Sequence, residues 1–252
     1  MEFDESRPYA PGDDARHLDW RVTARTARPH TKLFREERER PVLLAVDYRA
    51  TMRFATRGLF KTVVAARMAA LLAWRAEQEG DKVGGCIFSE QGILEVKPER
   101  GRKAVLRWLD RLVEQAALEG SSAVTQEAGL ALRQALIHLP LHARPGSLVF
   151  ILSDFRQMDA QGWLSLSRLS RHSEVVLVFI HDPMEERLPL GRFNFACGRR
   201  QITLCTDERV QTLHTAAFTQ RKTDIQQFAL RHRIRFLVCS TRDEPLSVLG
   251  GL

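Results

Sequence analysis

Residues 42–52 read VLLAVDYRATM. An apolar run delivers Asp47 into a loop, and the Thr51 hydroxyl follows four residues on. Carboxylate and hydroxyl oxygens are the hard donors magnesium takes, in near-octahedral geometry with several waters kept. A loop of the form Asp-x-Ser-x-Ser supplies one carboxylate and two hydroxyls, and a threonine and a further aspartate from neighbouring loops complete such a site. Asp47, Thr51, Thr125 and Asp154 fill four of those places, and Arg49 stands in the fifth. A guanidinium has no lone pair to give. At about 5 Å it would repel a dication by roughly 6–7 kcal/mol at an effective dielectric of about 20. Either Arg49 swings outward and leaves room for a cation, or it swings inward. Turned inward, it forms a two-pronged pair with Asp47 or Asp154 and does the cation's electrostatic work. The bland alternatives are strand-end caps for Asp47 and Asp154 and a helix cap for Thr125.

The block YAPGDDARHLDW, residues 9–20, sets carboxylates beside arginines. Some hydrolytic sites look like this. The structural alternative is an ion-pair network of Asp13, Asp14, Arg16, Asp19, Arg21 and Arg25, which pins an irregular segment onto the domain with Trp20 as its apolar anchor. Other chemistries find no support. The eight histidines form no HxH or HExxH pattern, and Ser153 sits in no GxSxG elbow. His181 and Asp182 adjoin on a strand and therefore point to opposite faces. No GxxxxGK[ST] loop is present, which argues against intrinsic nucleotide hydrolysis.

Regular patterning begins after Pro41. PVLLAVD reads as a strand buried on both faces. LFKTVVAARMAALLAWRAEQEG reads as a helix with Phe60, Val64, Met68, Leu71 and Leu72 on one face. KVGGCIF and GILEVKP are strands joined so tightly that they must be antiparallel. GRKAVLRWLDRLVEQAAL is a helix whose inner face is Val105, Leu106, Leu109, Leu112, Val113 and Ala116. The helix after GSSAVTQ ends near Leu139, before Pro140. SLVFILSDF is a strand, GWLSLSRLSRHS a short helix, EVVLVFIHDP a strand and NFACGRRQITLCT a hairpin. A long helix from Glu208 and the strand IRFLVCS close the chain. Strands alternating with amphipathic helices predict an α/β, doubly wound, mostly parallel sheet with one antiparallel edge strand. Sites in such sheets lie beyond the strand C-termini, so Asp47, Ser153-Asp154 and His181-Asp182 should share a rim. The expected organisation is an irregular segment over 1–40, the sheet domain over 41–240 and a tail over 241–252.

Composition is that of an ordinary globular protein, 44% hydrophobic and 27% charged. No apolar run approaches the roughly 20 residues that span a bilayer, and the acidic, polar start is no signal peptide. These point to a cytoplasmic chain. The four cysteines form no CxxC pair and read as reduced thiols, mostly core filler. Net charge is +7; residues 1–40 carry nine basic and nine acidic side chains, whereas 187–235 carry ten and three. That surplus is a solvated face, a surface for an acidic partner or, less expected, a nucleic-acid contact.

The element order, the VLLAVDYRATM loop and the ILSDF strand end resemble a von Willebrand factor A-like domain of Rossmann type. The segment RPYAPGDDARHLDWRVTARTARPHTKLFREERE, with that loop and GDKVGGCIF, is similar to the uncharacterised family known as domain of unknown function 58. Its N-terminal motif is carried here by Arg7, Tyr9, Gly12, Asp13, Asp14, Arg16, Asp19, Trp20 and Arg25. The resemblance implies a partner, a MoxR-type AAA+ ATPase, and a role in assembling or activating client proteins. It also implies an upstream region, with membrane helices in some members, so that Met1 is an internal start. Serine stands at position 49 in the usual metal-ion-dependent adhesion site, so this one is degenerate. The leading expectation is a non-enzymatic interaction module with a binding rim of Asp47, Arg49, Thr51, Thr125 and Asp154, on which Arg49 grips a partner carboxylate. No cofactor is expected; magnesium on Asp47, Thr51 and Asp154 requires binding despite Arg49. The alternatives are a metal-dependent hydrolase using Asp13, Asp14 and Asp19 with the rim, and a nucleic-acid binder through 187–235.

Overall fold

The computed structural model describes residues 2–35, 40–118, 128–197 and 200–250. The chain divides after Glu39 into two units. In the first, strands β1 (Glu2–Pro8) and β2 (His30–Arg35) pair antiparallel, with helix α1 (Trp20–Thr26) between them. The expected irregular segment therefore has regular structure. Period-2 patterning misses it because the strands are rich in charged residues.

The second unit is built on strand β3 (Pro41–Asp47). Side chains alternate across a strand, so Val42, Leu44 and Val46 enter one hydrophobic layer and Leu43 and Ala45 the other. Both faces need cover. Helices α2 (Lys61–Gln78) and α3 (Arg102–Leu118) supply it on the first side. Helices α4 (Ala128–His142), α5 (Ala160–Leu169) and α7 (Glu208–Arg231) supply it on the second.

Strands β4 (Lys82–Ser89), β5 (Gly92–Arg100), β6 (Leu148–Ser153), β7 (Glu174–His181) and β10 (Arg235–Ser240) complete a mixed sheet in the order β10-β7-β6-β3-β4-β5. Every neighbouring pair is parallel except β4 with edge strand β5. The chain leaves β3 toward β4 and later returns on its other side as β6, so the order reverses at β3 and β6. Strands β8 (Gly191–Cys197) and β9 (Arg200–Thr206) form a separate antiparallel pair, as the hairpin pattern predicts. Among the described residues no helix is long and apolar enough to cross a membrane.

Several details depart from expectation. The inner face of α3 is Val105, Trp108 and Leu112, while Leu106 and Val113 are 45% and 70% exposed. On α2, Phe60 and Leu71 are exposed, and Ala65, Ala69 and Ala73 take the inner positions with Val64, Met68 and Leu72. Helix α4 runs through Pro140 to His142. Proline removes one N–H, but Ala143 still donates to the Leu139 carbonyl at 3.0 Å, so the last turn closes. His138 and His142 clasp Glu95 of β5 at 2.8 and 3.0 Å, which ties that turn to the sheet edge. Within the expected tail, helix α8 (Pro245–Leu249) buries Leu249 in the first layer.

Candidate functional site

Parallel register carries Asp47 and Ser153 to neighbouring strand ends, because Val46 pairs with Leu152 across β3 and β6. This is the point of order reversal, where crevices form in such sheets. Asp47, Arg49, Ser153 and Asp154 are all buried there. The Arg49 guanidinium turns inward. Its Nε donates to both Asp47 oxygens at 3.0 and 3.1 Å and its Nη2 to Asp47 Oδ2 at 2.7 Å. Nη2 also lies 3.3 Å from Asp154 Oδ1, and Nη1 donates to the Arg156 carbonyl at 2.9 Å. The Ser153 hydroxyl donates to Asp47 Oδ2 at 2.6 Å.

A second cation enters from α2. Lys61, fully buried, donates to Asp154 Oδ2 at 2.8 Å and to Glu185 at 2.9 and 3.1 Å. Arg156 adds a bond to Glu185 at 2.9 Å. Glu185 belongs to the short helix α6 (Pro183–Glu186), where Asp182 accepts from Met184 N and Glu185 from Asp182 N in a capping box. Asp182 is occupied as well. It accepts from Thr56 N at 2.9 Å and from the Thr241 hydroxyl at 2.8 Å, and the Thr56 hydroxyl also donates to it.

The charges tune one another. Burial opposes ionisation of Asp154, yet Lys61 and Arg49 outweigh it and hold the carboxyl far below its usual range. Burial likewise opposes the charge on Arg49, but Asp47, Asp154 and Glu90 raise its pKa. Such a network is stable only while every member is satisfied.

These donors do not fit a divalent cation. Both Asp47 oxygens and both Asp154 oxygens already accept from cationic nitrogens, and two fixed positive charges flank the place an ion would take. Thr51 lies in the 3-10 turn Ala50–Met52, and its buried hydroxyl has no hydrogen-bond partner among the described residues. Thr125 lies outside the described residues. The expected direct grip of Arg49 on a partner carboxylate fails on geometry, since the guanidinium is fully buried and spent on Asp47, Asp154, Ser153 and the Arg156 carbonyl.

In the N-terminal unit the motif residues build turns. Asp13 accepts from Arg7 at 2.7 Å and from Ala10 N at 2.9 Å. Gly12 takes a φ of 109° in the preceding turn. Tyr9 N donates to the Pro29 carbonyl at 2.8 Å. Asp14 caps a 3-10 turn through Arg16 N and pairs with the Arg16 side chain. Asp19 caps α1 through Arg21 N and Val22 N, both 3.1 Å, and accepts from Ser6 at 2.8 Å. Within this unit, then, Asp13 pairs with Arg7 and Asp14 with Arg16, while Asp14 and Asp19 act as caps. Trp20 is 72% exposed, and Arg21 and Arg25 are exposed as well.

Sequence reasoning missed Lys61, Ser153 as a donor, Arg156 and Glu185. Lys61 carried one readable signal: it opens the helix that follows the Asp47 loop. Glu185 carried another, the Asp-Pro-x-Glu spacing of a capping box.

Comparison with known proteins places the chain beside relatives that are themselves uncharacterised. It is 30% identical over 190 residues to the uncharacterized protein Rv1480 of Mycobacterium tuberculosis (strain ATCC 25618 / H37Rv) and to the uncharacterized protein Mb1516 of Mycobacterium bovis (strain ATCC BAA-935 / AF2122/97). The match takes in 73% of this chain and 56% of each relative, so the chain spans about half their length. Among solved structures it is similar to the conserved hypothetical protein BatB from Bacteroides thetaiotaomicron, with a TM-score of 0.44, 16% identity, and 77% of this chain and 98% of that one covered. It is also similar to an aerotolerance-related membrane protein from Bacteroides fragilis NCTC 9343, with a TM-score of 0.45, 16% identity, and 76% and 99% covered. Residues 5–233 match the family described as "Protein of unknown function DUF58", and the chain belongs to that family.

Proposed function

We propose that this chain is a non-enzymatic protein-interaction module in which a fixed organic cation replaces the metal of a von Willebrand factor A-like adhesion site. The observation that carries the reading is the buried Arg49 joining Asp47 of one strand end to Asp154 of the next. A mobile cation makes a rim responsive to metal supply. A guanidinium held by two carboxylates makes the same rim permanently assembled. By family resemblance the partner is a MoxR-type AAA+ ATPase, acting with this chain in the assembly or activation of client proteins.

Two measurements test this. Titration calorimetry of the chain with magnesium and with manganese is expected to show no binding. Immobilised chain is expected to retain the purified ATPase. A tight, stoichiometric cation titration would remove Arg49 from the metal's role, and failure to retain the ATPase would remove that partner.

A further inference from the structure

Helix α7 places His214, Phe218 and Arg221 three and four residues apart, on one stripe. Phe218 packs against Phe179 and His181 of β7, with ring centroids 5.7 and 5.2 Å apart. The Arg221 guanidinium carbon lies 5.6 Å from the Phe179 ring centre and 5.5 Å from that of Phe218, so it packs over two aromatic faces. Its Nε and Nη2 form the lateral edge with which Arg49 grips Asp47. On Arg221 both nitrogens are buried, and among the described residues nothing accepts from them. His214 Nδ1 and His181 Nδ1 are also buried and without a partner there.

The nearby carboxylates cannot serve. Asp154 and Glu185 act on Arg221 electrostatically, but Asp154 already holds Arg49 and Lys61, and Glu185 holds Lys61 and Arg156. Burial and the like charge of Arg156 depress the pKa of Arg221, and the same two causes depress His214. Arg49 shows the opposite shift because it has its carboxylates. A cation whose two-pronged edge is buried and unaccepted lacks an anion.

We propose that Arg221, flanked by His214 and Arg156, binds a small oxyanion, a carboxylate or a phosphate group, on its lateral edge against the Phe179–Phe218 wall. Both groups match the spacing of a guanidinium fork. The inference rests on the interaction-module reading only for one source of the ligand, an acidic side chain of the partner. The other source is free phosphate.

Thermal unfolding of the full chain in acetate, phosphate and chloride at matched ionic strength tests the site without any partner. The wild-type melting temperature is expected to rise by a few degrees in acetate or phosphate relative to chloride. Arg221→Gln and Arg221→Met are expected to lose that rise. Both should be at least as stable as wild type in chloride, because they remove an uncompensated charge. No rise in the wild type, or an equal rise in the variants, overturns the site. Should a variant fail to fold, the Arg221 Nε–H NMR signal of the wild type decides: it must move on titration with acetate or phosphate, and a fixed signal overturns the proposal. A short aspartate-containing peptide that outcompetes acetate, where its asparagine version does not, identifies a protein carboxylate; response to phosphate alone identifies the free ion. Loss of ATPase retention with the anion response intact would overturn the proposed function and leave this site standing.

Discussion

Asp47 and Arg49, two positions apart on one turn, close on each other: a single carboxylate accepts from the Arg49 backbone N at 2.9 Å, its Nε at 3.0 Å and its Nη2 at 2.7 Å. The pair is wholly buried. The turn and its charge are therefore one object, and the arginine fixes the loop as well as neutralising it.

Removing that arginine should be severe. Arg49→Ala leaves Asp47 and Asp154 buried with part of their compensation gone, and breaking a buried pair from one side costs about 3–5 kcal/mol. Arg49→Lys keeps the charge but loses the planar fork, and should fall between wild type and alanine. Urea unfolding of the three proteins checks the order. A lysine variant as stable as wild type would show that charge alone suffices.

The cluster should also make the fold acid-sensitive. The Asp154 carboxyl sits far below its unfolded value of about 3.9. A depressed folded pKa gives stability that is fully present above the unfolded pKa and lost as pH falls below about 4. Asp154→Asn is expected to be less stable at neutral pH and to lose less further stability on acidification. Urea midpoints between about pH 2 and pH 7 measure both slopes. Parallel slopes would place the acid sensitivity elsewhere.

Much of this was legible in the residues. The unbroken apolar run VLLAV requires a strand covered on both faces, and Asp47 and Asp154 stand at the ends of adjacent strands, as a shared rim requires. The rest was hidden for physical reasons. On α3 the 3.6 period admits two overlapping faces, and Trp108 is large enough to choose the one that exposes Val113. Lys61 looks like any solvated lysine at a helix start; only the fold brings Asp154, 93 residues away, onto its ammonium. The N-terminal strands carry too many charges for alternation to show.

Gly85 makes a stringent test of the strand pairing. Its φ is +141°, and a Cβ there would come within 2.0 Å of the Leu44 carbonyl oxygen on β3. Gly84 is nearly as tight: its Cβ would lie 2.5 Å from Pro98 N on β5, beside the bulge between Val83 and Gly85. Gly85→Ala combines backbone strain with overpacking and should cost on the order of 2–4 kcal/mol in thermal or urea unfolding. A loss below about 0.5 kcal/mol, the range of neutral surface changes, would contradict the close approach of β3 and β4.

Thiol chemistry should separate the cysteines by environment. Burial pushes the Cys86 and Cys239 thiols up to about 12, whereas Cys205 is exposed. The thiolate is the reactive form, so an alkylating reagent at about pH 8 should modify Cys205 in the native protein. Cys86 and Cys239 should react only after unfolding. Peptide mapping of alkylated protein, native against urea-unfolded, reads this directly, and rapid native labelling of Cys86 would place it outside the core.

Introducing a hydroxyl at position 49 should not create a metal site. Arg49→Ser frees both Asp47 oxygens from a cation, but Lys61 still donates to Asp154 Oδ2 and to Glu185. A magnesium ion would then meet an ammonium on its second carboxylate, and like charges oppose it. Replacing Lys61 by methionine alone leaves Arg49 across Asp47 and Asp154. Only Arg49→Ser with Lys61→Met removes both buried cations from the two carboxylates, leaving Asp154 with the Arg156 side chain at 3.7 Å, and then the carboxylates' mutual repulsion favours a dication. Magnesium is therefore expected to raise the melting temperature of the double variant and of neither single one. A magnesium response in Arg49→Ser alone would show that Lys61 yields its place, and that one cation rather than two closes the site.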